Sequence, residues 1–222
     1  MTLGIAAKKP IVADRQEIND TRTLFMMAAA LGRRDSYTHA HAQRVAAYSR
    51  RLAVKAKLSG DILHDITMGG MLHDLGKLAL SDKIFSNKQA SLSAEMIGEV
   101  RSHPLIGAAL LQHIHCNAHI YHAVLFHHER IDGTGYPFGL HGNEIPLAAK
   151  IVSIADCFDA ITTDRPYQRR KSRRHAFALL DEMAGRCLDE ALVRLMIEDV
   201  RTRGMEPVMP RLTVPHVSSD PR

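Results

Sequence analysis

The chain has few cysteines and no long hydrophobic run. Its three cysteines, Cys116, Cys157 and Cys187, are isolated and odd in number, which argues against a disulfide framework and fits a reducing cytoplasm. The longest apolar run near the N-terminus, LFMMAAALG from Leu24, is about half the ~20 residues that a transmembrane helix needs. No basic and apolar leader precedes it, so we expect a cytoplasmic protein with no membrane partner.

Strand-like alternation of polar and apolar residues is also nearly absent, and aromatic residues make up only 5% of the chain. Apolar residues instead recur at three- and four-residue steps, which predicts an all-α fold. The predicted helices span Ile18–Leu31, Ala42–Ala56, Asp61–Gly76, Ser93–Arg101, His103–Ile114, Ala118–His128, Leu147–Thr162, Ser172–Ala184 and Leu188–Arg201. We expect one domain over residues 16–205, with tails at 1–15 and 206–222.

The charge balance is basic, with a net charge of +5 and a pI near 9.2, which suggests an anionic ligand. Much of the excess lies in RPYQRRKSRR, from Arg165 to Arg174. A solvated helix start accounts for such a run, so we expect no nucleic acid partner. The alternative, nucleic-acid binding through this segment, predicts an affinity that falls steeply with salt and does not respond to chelators.

Fourteen histidines justify a search for metal-ligand spacing. His73 and Asp74 are adjacent in MLHDLGK and are predicted to lie on one helix. A carboxylate has two oxygens and can bridge two metals, whereas a histidine binds one, so this pair suits a binuclear site. A second pair, His64 and Asp65, lacks the following Gly-Lys, and we interpret it as part of an ordinary helix surface.

Further histidines and one aspartate lie in or beside apolar helical stretches, where a buried polar residue needs a partner. Each taken singly is most simply explained as a satisfied polar residue. Seven such positions in the order H…HD…H…HH…D favour a metal site instead. The candidate ligands are His41, His73, Asp74, His103, His127, His128 and Asp156.

The stretch FHHERIDGTGYP opens an eighteen-residue loop, ERIDGTGYPFGLHGNEIP, that has no helical period. Loops of that length in compact domains are usually functional or disordered. His127 to Pro137 match the eight fixed positions of a motif HHExxDGxGYP, and RDSYTHAHAQRV, HDLGK, RSHPLIG, GNEIP and ADCFDAITTDRPY accompany it in order. By these blocks, which extend over Leu24–Leu195, the sequence resembles the HD-GYP phosphodiesterases of the HD metal-dependent phosphohydrolase superfamily.

The resemblance implies an HD-domain bundle of about seven to nine helices around a binuclear site for divalent metal ions, iron or manganese, with a third ion possible. It implies hydrolysis of cyclic di-GMP to linear pGpG and, as is frequent in the family, on to GMP. Carried over by position, one metal is bound by His41, His73, Asp74 and Asp156, and a second by Asp74, His103 and His127. His128 joins the second metal or serves a third. Tyr37, at a place where some trinuclear members have glutamate, favours two.

Two metals about 3.5–4 Å apart can share a hydroxide and hold phosphate oxygens for in-line displacement. The predicted catalytic residues are the bridging Asp74 and Lys77, which follows His73 by one turn and can place a positive charge on the phosphate. The predicted substrate-binding residues are Gly133, Gly135, Tyr136, Pro137 and Arg165. We expect both glycines to adopt positive φ and offer N–H groups to an anion, Tyr136 to contact guanine, and Arg165 to bind phosphate.

Glu129, Asp132 and Asp159 are interpreted as residues that stabilise the loop or orient a ligand. Gln168 replaces an arginine common in the family, and this departure bears on substrate affinity more than on hydrolysis. It keeps open a second reading, a signalling adaptor that binds cyclic dinucleotide with little turnover. A third reading is another HD-superfamily activity. The loop from Glu129 to Pro146, which we call the GYP loop, argues against it. We expect a separate regulatory protein as a partner, and a homodimer through the N-terminal helix is possible.

Overall fold

The computed structural model describes residues 15–34, 36–86, 92–114, 116–164 and 169–207. Within these ranges the regular structure is helical, and extended pairing is limited to the isolated bridges Asp132–His141 and Ala184–Leu188. The α-helices are α1 (Arg15–Arg34), α2 (Ser36–Lys55), α3 (Gly60–Leu72), α4 (Asp82–Ser86), α5 (Ala94–Arg101), α6 (His103–Leu111), α7 (Ala118–Phe126), α8 (Leu147–Thr162), α9 (Arg173–Met183) and α10 (Glu190–Arg203). Two 3-10 helices span Leu75–Ala79 and Gly142–Glu144.

The all-α prediction is confirmed, and the nine longer helices correspond to the nine predicted ones. Two boundaries differ most from the prediction: α2 begins at Ser36 and not at Ala42, and α3 stops at Leu72, where the chain continues into the 3-10 helix Leu75–Ala79. The short helix α4 was not predicted, since five residues are too few for a periodic pattern. The tails predicted at the two ends lie almost entirely outside the described residues.

Helix α2 lies at the centre of the bundle and packs against α1, α3, α8 and α10. One apolar core, around Leu52 and Phe158, joins α2 to α8, α9 and α10, and a second, around Leu72 and Leu111, joins α1, α3, α6 and α7. A buried ion pair from Arg51 Nε to Asp199 Oδ2, at 2.7 Å, ties α2 to α10. The two cores hold α2, α3, α6, α7 and α8 in fixed relative positions.

Close helix packing near the centre depends on glycine. A Cβ at Gly69 would lie 2.5 Å from Ala123 Cβ on α7, and one at Gly70 would lie 3.0 Å from Ala46 Cα on α2. Both glycines therefore let α3 approach its two neighbours closely. The consequence is that the C-terminal end of α3, where His73 follows, lies against both α2 and α7.

No helix in the described part of the chain combines the length and the apolar character needed to cross a membrane.

Candidate metal centre

The seven residues predicted as metal ligands come together in the structure, and most of them lie at helix ends. His41 is within α2 and Asp156 within α8, whereas His103 is the first residue of α6. The others follow helix ends directly: His73 and Asp74 come after α3, and His127 and His128 come after α7. The prediction that His73 and Asp74 share a helix was wrong, because the break after Leu72 places both in a turn.

The donor atoms form two neighbouring clusters. Those of His41, His73 and Asp74 lie within 4.8 Å of one another, and so do those of His103, His127 and His128. We call these the first and the second cluster. All residues of the two clusters are buried except His128, which is half-buried. The donor atoms therefore have little access to water.

Asp74 lies between the two clusters and turns one oxygen towards each. Its Oδ2 is 3.4 Å from His73 Nε2 and 3.7 Å from His41 Nε2. Its Oδ1 is 3.4 Å from His103 Nε2. A carboxylate so placed can give one oxygen to each of two cations.

Three of the histidines are held in the same tautomer by the same local contact. In each, the Nδ1 atom bonds the backbone carbonyl three residues earlier. The distances are 2.8 Å for His73 to Gly70, 2.6 Å for His103 to Val100 and 3.0 Å for His127 to Val124. A carbonyl accepts but cannot donate, so Nδ1 carries the proton and the Nε2 lone pair points into the site.

The Nε2 lone pairs of these three histidines are buried and suit a metal cation as their partner. His73 Nε2 is buried without a hydrogen-bond partner among the described residues, although Asp74 Oδ2 is 3.4 Å away. His103 Nε2 and His127 Nε2 are only 3.2 Å apart, and burial lowers the pKa of both rings, so both are neutral. With both protons on Nδ1, two lone pairs face each other, an unfavourable arrangement that a cation between them would relieve.

His41 differs from the other histidines because carboxylates, not a carbonyl, surround it. Its Nδ1 donates to Asp159 Oδ2 at 2.7 Å, and its Nε2 is 3.2 Å from Asp156 Oδ1. Burial lowers the pKa of His41, but the hydrogen bonds to Asp156 and Asp159 outweigh it and raise the pKa to about 9. The ring is therefore a cation here, and a metal ion bound at Nε2 would replace its proton.

Asp159 is fully buried and fixed on both sides. Arg44 donates to it through two nitrogens, Nε to Oδ1 at 2.6 Å and Nη2 to Oδ2 at 3.0 Å, and Thr163 Oγ1 donates to Oδ1 at 3.0 Å. The expectation that Asp159 orients a ligand agrees with its contact to His41. Arg44 was missed by the sequence reasoning; its position one turn after His41 on the same helix was the available signal.

We expect Asp159→Asn to weaken metal binding by roughly 10- to 100-fold, since partners that orient a ligand have effects of that size. The amide keeps the shape of Asp159 but removes the charge that pairs with His41 and Arg44. Titration of the metal-free protein with Mn²⁺ gives the affinity. Thr163→Val is the control, because it removes one contact of Asp159 and keeps the carboxylate. Equal affinities of Asp159→Asn and wild type would contradict the orienting role.

Lys77 donates to Asp74 Oδ2 at 2.7 Å, and its side chain remains 28% exposed. Burial raises the pKa of the Asp74 carboxyl, but Lys77 and the histidines around it outweigh burial and hold the pKa well below its ordinary value. Asp74 is thus an anion between the cationic His41 of the first cluster and the neutral His103 and His127 of the second. This combination of charges attracts a cation into the site.

The GYP loop packs directly on the second cluster. The Tyr136 ring stacks on the His128 ring, with centroids 4.6 Å apart and an interplanar angle of 20°. Burial lowers the pKa of His128 to about 4, so this ring is neutral. The carboxylate of Glu129 accepts from the backbone N–H of Phe138 at 2.7 Å and of Leu140 at 3.0 Å, which confirms that it stabilises the loop.

Two details of the loop differ from expectation. Positive φ occurs at Gly133 but not at Gly135. The N–H of Gly133 donates to Arg130 O at 2.8 Å, so it is used by the turn itself and is not offered to an anion. Gly135 instead permits close packing, because a Cβ there would lie 2.4 Å from Arg130 N and 2.6 Å from His128 O. Pro137 follows Tyr136 through a cis peptide bond.

Other predicted residues lie outside the centre or outside the described chain. Arg165 and Gln168 lie outside the described residues. The pair His64 and Asp65 is not simply helix surface: His64 is exposed, but Asp65 is 2% exposed and accepts from Asn117 Nδ2 at 3.0 Å. That contact ties α3 to the start of α7, a long-range partner that local sequence could not reveal.

Known proteins are similar to this chain in sequence and in fold. The HD domain family model matches residues 25–192. A cyclic di-GMP phosphodiesterase of Pseudomonas aeruginosa is 38% identical over 177 residues, which cover 78% of this chain and 41% of that protein. The cyclic di-GMP phosphodiesterase response regulator RpfG of Xanthomonas campestris is 34% identical over 201 residues, 87% of this chain and 52% of that protein. The chain thus spans about half the length of these relatives.

A solved structure has the same fold. The cyclic GMP-AMP specific phosphodiesterase of V. cholerae superposes with a TM-score of 0.62 at 18% identity, over 83% of this chain and 49% of that one. This likeness agrees with the family match, which extends over most of the chain. The chain belongs to the HD domain family, in the HD-GYP branch that its loop motif indicated.

Proposed function

We propose that this chain is a metal-dependent phosphodiesterase that hydrolyses cyclic di-GMP to linear pGpG and on to GMP. The observation that supports this most directly is the position of Asp74, with one oxygen facing each of two histidine clusters. A binuclear site of this kind is suited to phosphate ester hydrolysis. The names of the relatives from Pseudomonas and Xanthomonas supply the substrate.

The first cluster, completed by Asp156, would hold one divalent cation, and the second would hold another, with Asp74 shared. Imidazole and carboxylate ligands suit iron and manganese, the metals we propose. Bound cations would lower the pKa of a coordinated water and neutralise charge on the phosphate. His128 lies within reach of the second cluster and would join that cation or serve a third.

The protein's own groups would position the phosphate. Lys77 is partly exposed and held by Asp74, so its ammonium group lies beside the donor atoms and can pair with a phosphate oxygen. Burial of the clusters excludes bulk water, which strengthens each of these charge interactions. The half-buried His128 and Tyr136 form the open side of the centre, the side from which a substrate would enter.

One His-Asp pair within α3 and another directly after its end allow a matched test. Wild type, His73→Ala and His64→Ala would be purified anaerobically, and metal content and cyclic di-GMP turnover measured on the same samples. We expect about two metals per wild-type chain, and a loss of metal with at least a 100-fold loss of turnover in His73→Ala. His64 is exposed on α3, and His73 follows the end of that helix, so His64→Ala should behave as wild type.

The outcomes separate the competing readings. A wild-type protein that loads metal and binds cyclic di-GMP without hydrolysing any cyclic dinucleotide would be an adaptor. A protein that no reconstitution can load would disprove the ligand assignment. Equal losses in His73→Ala and His64→Ala would show that the effect comes from damage to α3 and not from a lost ligand.

A further inference from the structure

Arg101 lies at the edge of the centre without an assigned role. It is the last residue of α5, two positions before His103, and its side chain is exposed. Its guanidinium carbon is 5.4 Å from the centroid of the Tyr136 ring, and that ring stacks on His128. His128, Tyr136 and Arg101 therefore form a series of planar groups that leads from the second cluster outwards to solvent.

The contacts of Arg101 do not suggest a structural role. No residue of α5 is buried, and Arg101 makes no ion pair with any residue in the described ranges. Within the described ranges its side chain contacts the ring of Tyr136. The face of a tyrosine ring attracts a cation placed over it. Arg101 therefore presents a positive charge beside Tyr136, next to the proposed phosphate site.

The position suits a base better than a phosphate. The donor clusters and Lys77 already provide charge for the phosphate. In a nucleotide a ribose separates the phosphate from the base, so a base would lie outside the clusters, where Tyr136 and Arg101 are. A guanidinium that packs on a ring by its face keeps its N–H donors available at its edge.

We propose that Arg101 recognises guanine and sets the base preference of the site. Guanine presents two acceptors, O6 and N7, on one edge, and a bidentate arginine is the commonest contact to them. Adenine presents N7 beside an N6 donor, so one guanidinium N–H would face another donor. This inference rests on the proposed function, because it assumes that a cyclic dinucleotide occupies the centre.

The test compares GMP with AMP, which differ only in the base. Their dissociation constants would be measured by calorimetry on the metal-loaded full chain, for wild type, Arg101→Met, Arg101→Lys and Arg194→Met. Methionine keeps the helix propensity and can still cover Tyr136. We expect Arg101→Met to weaken GMP binding by roughly 5- to 150-fold, the range for a bidentate arginine contact to a base, and to change AMP binding by less than about twofold.

Arg101→Lys should not restore the preference, because an ammonium group lacks the bidentate fork. Arg194→Met, on the exposed face of α10, should leave both constants as in wild type. Equal weakening of GMP and AMP, rescue by lysine, or a wild type that binds both equally would each overturn the inference. Cyclic di-GMP turnover is recorded separately on wild type: its absence would refute the proposed function, whereas an unchanged GMP preference in Arg101→Met refutes the role of Arg101.

Discussion

Asp74→Asn is expected to lower cyclic di-GMP hydrolysis by about 1,000-fold or more and to reduce the metal content from about two ions per chain to one or fewer. Asparagine has nearly the same shape, but its single oxygen cannot face both His73 and His103, as the two oxygens of Asp74 do. It also removes the negative charge that offsets two cations. Metal analysis and turnover on one anaerobic sample measure both effects.

Asp65→Asn is the matched control for this substitution. Asp65 and Asp74 are both 2% exposed, both follow a histidine, and both carboxylates accept hydrogen bonds. Asparagine at position 65 keeps an oxygen that can accept from Asn117 Nδ2, so this variant should lose at most about 1 kcal/mol of stability, the size of one hydrogen bond, and keep its metal and its turnover. A fully loaded and active Asp74→Asn protein would refute the shared role of Asp74.

The ligand set could be predicted because the order of the ligands along the chain can be read from the sequence alone. His41, His73, His103 and His127 each lie in a recognisable block, and the blocks occur in a fixed order. What the pattern did not contain is orientation. The Nδ1 atoms reach carbonyls three residues earlier because His73 and His127 directly follow helices, and because His103 begins α6 just after the end of α5. Helix ends are the least predictable part of a helix from sequence.

The supporting contacts were harder to predict because they join distant segments. Arg44 meets Asp159 across 115 positions of the chain, and Asp65 meets Asn117 across 52. Positive φ was predicted for two glycines and occurs at Gly133, but at Gly135 it is close packing against the backbone that requires glycine. Local sequence shows that a glycine is needed, but whether conformation or close packing demands it depends on neighbours that only the fold provides.

Gly76→Ala is expected to lower the free energy of unfolding by about 3 kcal/mol or more and to weaken metal binding at the second cluster. A Cβ at Gly76 would lie 1.9 Å from His103 O and 2.7 Å from Gly107 N. Both atoms belong to the backbone, so the clash is relieved only if the 3-10 helix Leu75–Ala79 moves away from α6. That movement separates Asp74 from His103. Urea unfolding and Mn²⁺ titration measure the two losses.

Gly98→Ala applies the same chemical change at a position with no constraint. Gly98 lies within α5, and a Cβ there would have no atom within 4 Å, so alanine should stabilise the protein by up to about 1 kcal/mol through its helix propensity. The two variants are thus predicted to change stability in opposite directions. Gly76→Ala is compared with wild type in urea midpoint and in metal affinity. Equal values would show that the close contact between the 3-10 helix and α6 does not hold Asp74 beside His103.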